Sequence, residues 1–318
     1  MSRQNNQLAF VFPGQGSQSV GMLTEMAESF PDVKDTFAQA SEVLELDLWA
    51  LVTDGPAAED LNQTQNTQPA MLAAGVALWK VWCAQSEVRP AYMAGHSLGE
   101  YTALVCSGVL SFADAIALVA ARGRFMQEAV PDGVGAMAAV LGLTDEQVIQ
   151  VCTDAAQGDV CSAVNFNSPG QVVIAGNSAA IDRAMVAAKE AGAKRALKLP
   201  VSVPSHCALM QPAADKLYTK MQDMHFAQAD VTLLHNVDVT EHKDAEGIRQ
   251  ALKQQLFMPV RWVDTVNAIA GAGVTTIAEL GPGKVLMGLN KRIVKMVDHF
   301  TVNNPDTLTK LLEHYPND

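Results

Sequence analysis

The chain has 318 residues, 49% hydrophobic and 18% charged, with 22 Lys+Arg against 34 Asp+Glu and a formal net charge of −12. That apolar content excludes a disordered or collagenous chain, and the length suits one large domain, or a large one carrying a smaller insert, because single cores stop growing at roughly 250–300 residues. The acidic balance, with no Lys/Arg run interleaved with aromatics, excludes a nucleic-acid binder, whose phosphates would be repelled.

The first apolar run, residues 8–12, stops at Pro13-Gly14 and is too short for a signal-peptide core. No stretch approaches the roughly 18 apolar residues of a membrane span. We expect a soluble, cytoplasmic protein. The five cysteines (Cys83, Cys106, Cys152, Cys161, Cys207) are odd in number, dispersed and free of CxxC pairs. They predict reduced structural thiols, with neither a disulfide framework nor a metal site.

In chain order, residues 8–12 read as a short buried strand, followed by helical patterns at 33–44, 68–84, 98–106 and 112–129. The turn Pro131-Asp132-Gly133 marks a boundary. Beyond it come a strand at 136–141, a helix opened by Thr144 with Gln147 three residues on, and a strand at 160–165. A turn at Ser168-Pro169-Gly170 leads to a strand at 171–175, a helix capped by Asn177 or Ser178, and a strand at 194–199. This βαββαβ order is the ferredoxin-like unit. The expected architecture is therefore α/β: a parallel-sheet core from residues 1–131 and 200–318, with a ferredoxin-like subdomain, 132–199, inserted in it. Further strands are expected at 231–234, 275–279 and 300–303.

Gly95-His96-Ser97-Leu98-Gly99 is a G-x-S-x-G pattern directly before a helix-compatible stretch. Small residues flank the serine because a strand turning sharply into a helix leaves no room for larger ones. Ser97 would stand exposed at the helix start, where the N–H of Leu98 and the helix dipole can stabilise an oxyanion. A tight turn without chemistry is the competing reading. Among the seven histidines, His242 and His314 lie in charged or terminal surroundings, while His225, His235 and His299 read as packed. His206 falls in a loop between a strand and a helix, after the serine, where an elbow hydrolase presents its base; a packed loop histidine is the alternative. His96 is read as a support of the turn.

No orienting acid stands out between Ser97 and His206. Glu100, Asp114, Glu128, Asp145, Glu146, Asp154, Asp182 and Glu190 fall in helices or caps, Asp132 and Asp159 in turns, and solvation accounts for each. A dyad held by a carbonyl or amide is expected instead. Arg122 completes the apolar stripe of Ala115, Val119 and Met126, where a buried guanidinium needs an anion: a substrate carboxylate or an internal salt bridge. Arg124, off the stripe, is expected to pair with Glu128. The loop Pro13-Gly14-Gln15-Gly16-Ser17-Gln18 fails the dinucleotide spacing, and Gly281-Pro282-Gly283-Lys284 is no P-loop; both read as tight turns, the first able to bring backbone donors near Ser97.

With these residues in hand, the chain closely resembles the malonyl-CoA:acyl carrier protein transacylases of type II fatty acid synthesis. The resemblance runs through FVFPGQGSQ from Phe10, QNTQPAM from Gln65, GHSLGEYTAL from Gly95, VPSHCALM from Val203, QLFMPVRW from Gln255 and ELGPGKVL from Glu279. It implies an α/β-hydrolase-like core with the inserted subdomain and a ping-pong transfer. Ser97 would carry the malonyl ester, His206 would be base and then acid, Arg122 would bind the free carboxylate, and the N–H groups of Gln15 and Leu98 would hold the oxyanion. It also implies that the backbone carbonyl of Gln255 orients the histidine and that Met126 and Asn165 line the acyl pocket. Malonyl-CoA is then the substrate and acyl carrier protein the partner, with no permanently bound cofactor and a monomeric state. Ser205, before the histidine, leaves methylmalonyl open, and a discrete acyltransferase serving a polyketide assembly line remains an alternative.

Two other classes compete: a serine ester or thioester hydrolase, disfavoured by Arg122 and by the missing acid, and a non-catalytic binding domain, disfavoured by the intact Ser97 and His206. CoA and carrier protein are both anionic, so a chain of charge −12 must recognise them locally. The candidates are Lys194, Arg195 and Lys198, and Lys284, Lys291, Arg292 and Lys295. If they flank one cleft, charge reversal at Lys194 and Arg292 should slow the carrier-protein half-reaction more than acylation.

Overall fold

The structure is a computed structural model and describes residues 3–53, 60–201 and 203–316. Its elements begin with β1 (Arg3–Phe12), α1 (Thr24–Ser29), α2 (Pro31–Leu44), α3 (Leu48–Val52), α4 (Thr64–Gln85), β2 (Val88–Gly95), α5 (Leu98–Cys106) and α6 (Phe112–Ala129). A second group follows: β3 (Gly135–Leu141), α7 (Asp145–Ala156), β4 (Cys161–Ser168), β5 (Gln171–Asn177), α8 (Ser178–Glu190) and β6 (Arg195–Lys198). The chain continues through α9 (Gln211–Met221), β7 (Thr232–Leu234), α10 (Ala245–Gln255), α11 (Trp262–Gly271), β8 (Thr276–Leu280), α12 (Val285–Ile293), β9 (Asp298–Val302) and α13 (Pro305–His314).

Five strands form a parallel sheet in the order β7-β2-β1-β8-β9. β1 is longer than its apolar run implies. Residues 8–12 are fully buried, as a central parallel strand covered on both faces requires, whereas Arg3–Gln7 is largely exposed and pairs with β2 only as far as a bulge between Asn5 and Ala9. Phe10 meets the half-buried Trp79 and the buried Trp82 edge-on at 5.9 and 5.3 Å, and full burial of a ring such as Phe10 contributes about 2–3 kcal/mol. α4 packs under this sheet and is buried on most of its faces, so its apolar run lacks amphipathic spacing.

The second sheet runs β4-β5-β3-β6, all antiparallel neighbours, with α7 and α8 connecting its strands. β5 lies between β3 and β4, which are joined through α7; this is the split βαβ of a ferredoxin-like unit. Thr144 and Gln147 form the reciprocal capping box of α7. At α8 the cap position is Asn177, but its side chain does not cap: Oδ1 accepts the N–H of Val160 at 2.8 Å, tying β4 to β5, and Ser178 is the first helical residue. This unit has its own apolar cluster around Val140, Val172, Ile174 and Ile181. It joins the larger sheet's side of the molecule where Val260 donates to the carbonyl of Val164 at 2.8 Å and accepts from the N–H of Phe166 at 3.1 Å. Among the described residues, no helix is long and apolar enough to cross a membrane.

Candidate active site

β2 ends at Gly95 and α5 begins at Leu98, so two residues reverse the chain. A Cβ on Gly95 would overlap the carbonyl carbon of Gly99, and one on Gly99 would overlap the carbonyl oxygen of Phe12. Both glycines are there because backbone passes against backbone. Ser97 sits between them at φ 50°, ψ −106°, a strained conformation for a side-chain-bearing residue. Asn236, just after β7, holds this elbow from both sides. Its Oδ1 accepts the Ser97 N–H at 2.8 Å and its Nδ2 donates to the Gly95 carbonyl at 2.7 Å.

His206 reaches the same point from a loop in which it too has positive φ, 65°. Its N–H donates to the Leu256 carbonyl at 2.9 Å, and ring Nδ1 lies 2.6 Å from the carbonyl oxygen of Gln255, the last residue of α10. That carbonyl can only accept, so Nδ1 carries the proton and Nε2 is left to accept from the Ser97 hydroxyl at 2.8 Å. His206 is 3% exposed. Burial first, and then the nearby Arg122 charge, pulls its pKa down to about 3, so the imidazole is neutral and free to take a proton.

Arg122 is 1% exposed on α6. Its Nη1 donates to Gln68 Oε1 at 2.8 Å, and its Nη2 to Gln255 Oε1 at 3.0 Å and to Ser97 Oγ at 3.2 Å. The guanidinium lies over the Tyr101 ring at 5.3 Å, and its Nε–H has no partner among the described residues. No carboxylate touches it among those residues. The internal salt bridge weighed as the alternative is therefore absent there, and neutral amides surround a cation with donor capacity to spare. Arg124 pairs with Glu128 at 3.7 Å on the surface, as its off-stripe position predicts.

Glu100 corrects the sequence reading. Expected to be solvated, it is fully buried: Oε1 lies 2.7 Å from His235 Nδ1, and Oε2 accepts from the Asn236 N–H at 3.0 Å and from Gln255 Nε2 at 2.9 Å. The loop after β7 covers it, and no spacing within α5 announces that cover. The signal that was available is its isolation as the one acid in the otherwise apolar stretch Leu98–Cys106, the same argument that singled out Arg122. Gln68 was missed as well; it stands at the buried start of an apolar helix run.

Gln15, Thr64, Ser97, Asn165, Ser205 and His206 line a narrow cleft of about 110 Å³ that also takes in residues of β3 and the chain after β6. Among the described residues, the N–H groups of Gln15 and Leu98 donate to no group and the buried Asn165 Oδ1 has no partner. Met126 lies deeper, its Sδ 3.5 Å from Gln68 Nε2. His96 braces the elbow, its Nε2 2.8 Å from Asn167 Oδ1 of β4 and its ring 5.5 Å from Trp262. The basic candidates divide. Lys194 and Arg292 share a cleft of about 630 Å³, where Arg292 Nη1 donates to Gln171 Oε1 at 2.8 Å. Lys291 and Lys295 line a different hollow beside Asp298, Lys198 is engaged by Asp182 at 2.9 Å, and Arg195 and Lys284 are exposed.

A strand–helix elbow serine bonded to a neutral imidazole, on a parallel α/β sheet with a ferredoxin-like unit alongside, defines the class of acyl-transfer proteins built on an α/β-hydrolase-like core. The acyl transferase domain model matches residues 9–304, and the chain belongs to that family, among the malonyl CoA-acyl carrier protein transacylases. It is 58% identical to the malonyl CoA-acyl carrier protein transacylase of Salmonella typhimurium over 96% of this chain and 99% of that protein. To the Escherichia coli protein of the same name it is 57% identical, with the same coverage. Among solved structures, a type II PKS acyl-carrier protein in complex with its malonyl-transacylase, PlMCAT:AntF, contains a chain 55% identical to this one. That chain superposes with a TM-score of 0.95, covering 97% of this chain and 99% of that one. An acyl carrier protein S-malonyltransferase from Vibrio cholerae gives 57% identity and a TM-score of 0.93 over 96% and 99%.

Proposed function

We propose that this chain transfers the malonyl group of malonyl-CoA to the phosphopantetheine thiol of acyl carrier protein, supplying fatty acid synthesis, with Ser97 as the acyl carrier. The observation that supports this most is the convergence on one oxygen: Ser97 Oγ lies 2.8 Å from a basic nitrogen and 3.2 Å from a guanidinium nitrogen. A substrate with a thioester at one end and a carboxylate at the other meets both.

In this reading the malonyl carboxylate pairs with Arg122, in place of the contact its guanidinium now makes with Ser97 Oγ, and fixes the thioester carbon against Ser97. His206 Nε2 takes the hydroxyl proton as Oγ attacks. Negative charge develops on the thioester oxygen, which the open N–H groups of Gln15 and Leu98 hold. Collapse breaks the C–S bond, and His206 returns the proton to the departing CoA thiolate. The carrier thiol then gives its proton to His206, attacks the ester, and the reverse sequence frees Ser97. The Gln255 carbonyl holds the imidazole in the required tautomer, the task an acid performs in a triad. Asn165 lines the acyl pocket, with Met126 shaping it from beneath Gln68.

The segment 132–199 acts as an inserted subdomain forming one wall of the approach, and Lys194 and Arg292 receive the acidic carrier protein. The enzyme works as a monomer, and its five free thiols are in keeping with a reducing cytoplasm. Initial rates with malonyl-CoA and holo carrier protein as varied substrates should give parallel double-reciprocal lines; intersecting lines would rule out an acyl-enzyme. A second reading, donation to a type II polyketide carrier protein, is favoured by the complex formed by the 55% identical relative. Comparable kcat/KM with both carrier types would support it.

A further inference from the structure

Arg122 and Glu100 are buried charges of opposite sign that do not touch. One side-chain amide stands between them: Gln255 Oε1 accepts from Arg122 Nη2 at 3.0 Å, and Gln255 Nε2 donates to Glu100 Oε2 at 2.9 Å. The amide has one orientation that fits, because its nitrogen also donates to the Ser97 carbonyl at 2.9 Å. Its dipole is thus aligned between cation and anion. Glu100 Oε2 accepts from two fixed donors, the Asn236 N–H and Gln255 Nε2, and Oε1 lies 2.7 Å from His235 Nδ1, a surrounding that suits a carboxylate.

We propose that Glu100 is the counter-charge of the active site, held one amide away from Arg122 so that it balances the site's positive charge without occupying the guanidinium. The inference rests on the reading of Ser97, His206 and Arg122 given above. Direct pairing would satisfy Arg122 internally, and an incoming carboxylate would have to compete with that bond. Spaced by Gln255, the guanidinium stays charged and retains an Nε–H with no partner among the described residues. The counter-charge matters again when His206 takes the serine proton, because the imidazolium forms beside Arg122. A malonyl group brings an anion of its own to offset that second positive charge; an acetyl group brings none. Glu100 is accordingly a positioning residue that acts through Gln255 and through the field it sets.

The test uses Glu100→Gln, in which the amide oxygen can still accept from Asn236 and Gln255 while its NH₂ donates to His235 in the other tautomer; charge is removed and the bonds are kept. Single-turnover acylation is read by quenched intact-mass spectrometry with malonyl-CoA and acetyl-CoA. The expected result is that acetyl acylation slows about 30-fold and malonyl acylation about threefold, raising the malonyl preference about tenfold. Glu100→Asp keeps the charge and should keep the wild-type preference within about twofold. Gln255→Met keeps the backbone carbonyl on His206 but removes the spacer, so Arg122 can close on Glu100; malonyl preference should then fall about tenfold. Opposite signs in two variants cannot come from general damage. Equal slowing of both thioesters in Glu100→Gln overturns the inference. If circular dichroism shows that variant unfolded, an unchanged or raised preference in Gln255→Met overturns it. Failure of the underlying reading looks different: wild-type enzyme that forms no adduct with either thioester.

Discussion

At Ser97 the polar groups are inside the protein and bonded to one another, whereas at Lys194 and Arg292 they stand in solvent around an open cleft several times larger. His206 and Arg122 are almost fully buried, and each is fixed by partners on other elements. Lys194 and Arg292 are exposed, and Arg292 has a single glutamine contact. The difference matches two tasks. Acyl transfer needs donors and a base already in place in a dry site, where fixed dipoles act at full strength. Recognition of an anionic protein needs positive charge that is reachable and released afterwards, which screened surface groups provide.

Breaking the buried region should have the largest effects. His206→Ala removes the base and is expected to lower kcat by about 10³–10⁴-fold with little change in the melting curve at pH 8, measured by malonyl transfer to holo carrier protein. Arg122→Ala should lower malonyl kcat/KM about 100-fold or more while leaving acetyl acylation far less affected. If both fall together, the guanidinium serves the fold rather than the substrate carboxylate.

The depressed pKa of His206 gives a pH test. The unfolded chain protonates this imidazole near its ordinary value of about 6.5, the native one only near 3. Between those values the unfolded state holds the extra proton, so stability is fully present above about pH 6.5 and declines as pH falls, by about 1.4 kcal/mol per pH unit at most for this group. Denaturant midpoints from pH 8 to 5 should show it, with a shallower slope in His206→Gln. The catalytic base, by contrast, stays unprotonated across that range.

The exposed region should respond least and most conditionally. Charge reversal by Lys194→Glu and Arg292→Glu is expected to slow transfer to carrier protein about fivefold at low salt, with the defect shrinking above roughly 0.3 M salt and acylation by malonyl-CoA less affected. Equal slowing of both half-reactions would remove carrier docking from this cleft.

Much of this division was legible in the sequence. Helices α5 and α6 begin and end where their apolar spacing places them, the α7 capping box is written in Thr144 and Gln147, and β3 to β6 follow the pattern of the inserted unit. The elbow was legible because its G-x-S-x-G spacing lies within five consecutive residues, although the contact that demands Gly99 comes from the distant Phe12 carbonyl. What remained hidden depends on distant segments meeting. Glu100 looked solvated because its cover comes from residues 235 and 236, and the amide spacing of two charges by Gln255 requires α5, α6 and α10 to converge. The basic residues were visible singly, but which of them share a cleft is decided by the packing of α12 against β4 and β5, where Arg292 meets Gln171.

In the proposed reaction Ser97 carries the malonyl group while Arg122 holds its carboxylate. The direct measurement is intact-mass and peptide mapping after brief exposure to malonyl-CoA in the absence of carrier protein. One malonyl adduct is expected on Ser97, absent from Ser97→Ala and strongly reduced in Arg122→Ala. An adduct that persists in Ser97→Ala, or labelling by acetyl-CoA that equals labelling by malonyl-CoA, would contradict it.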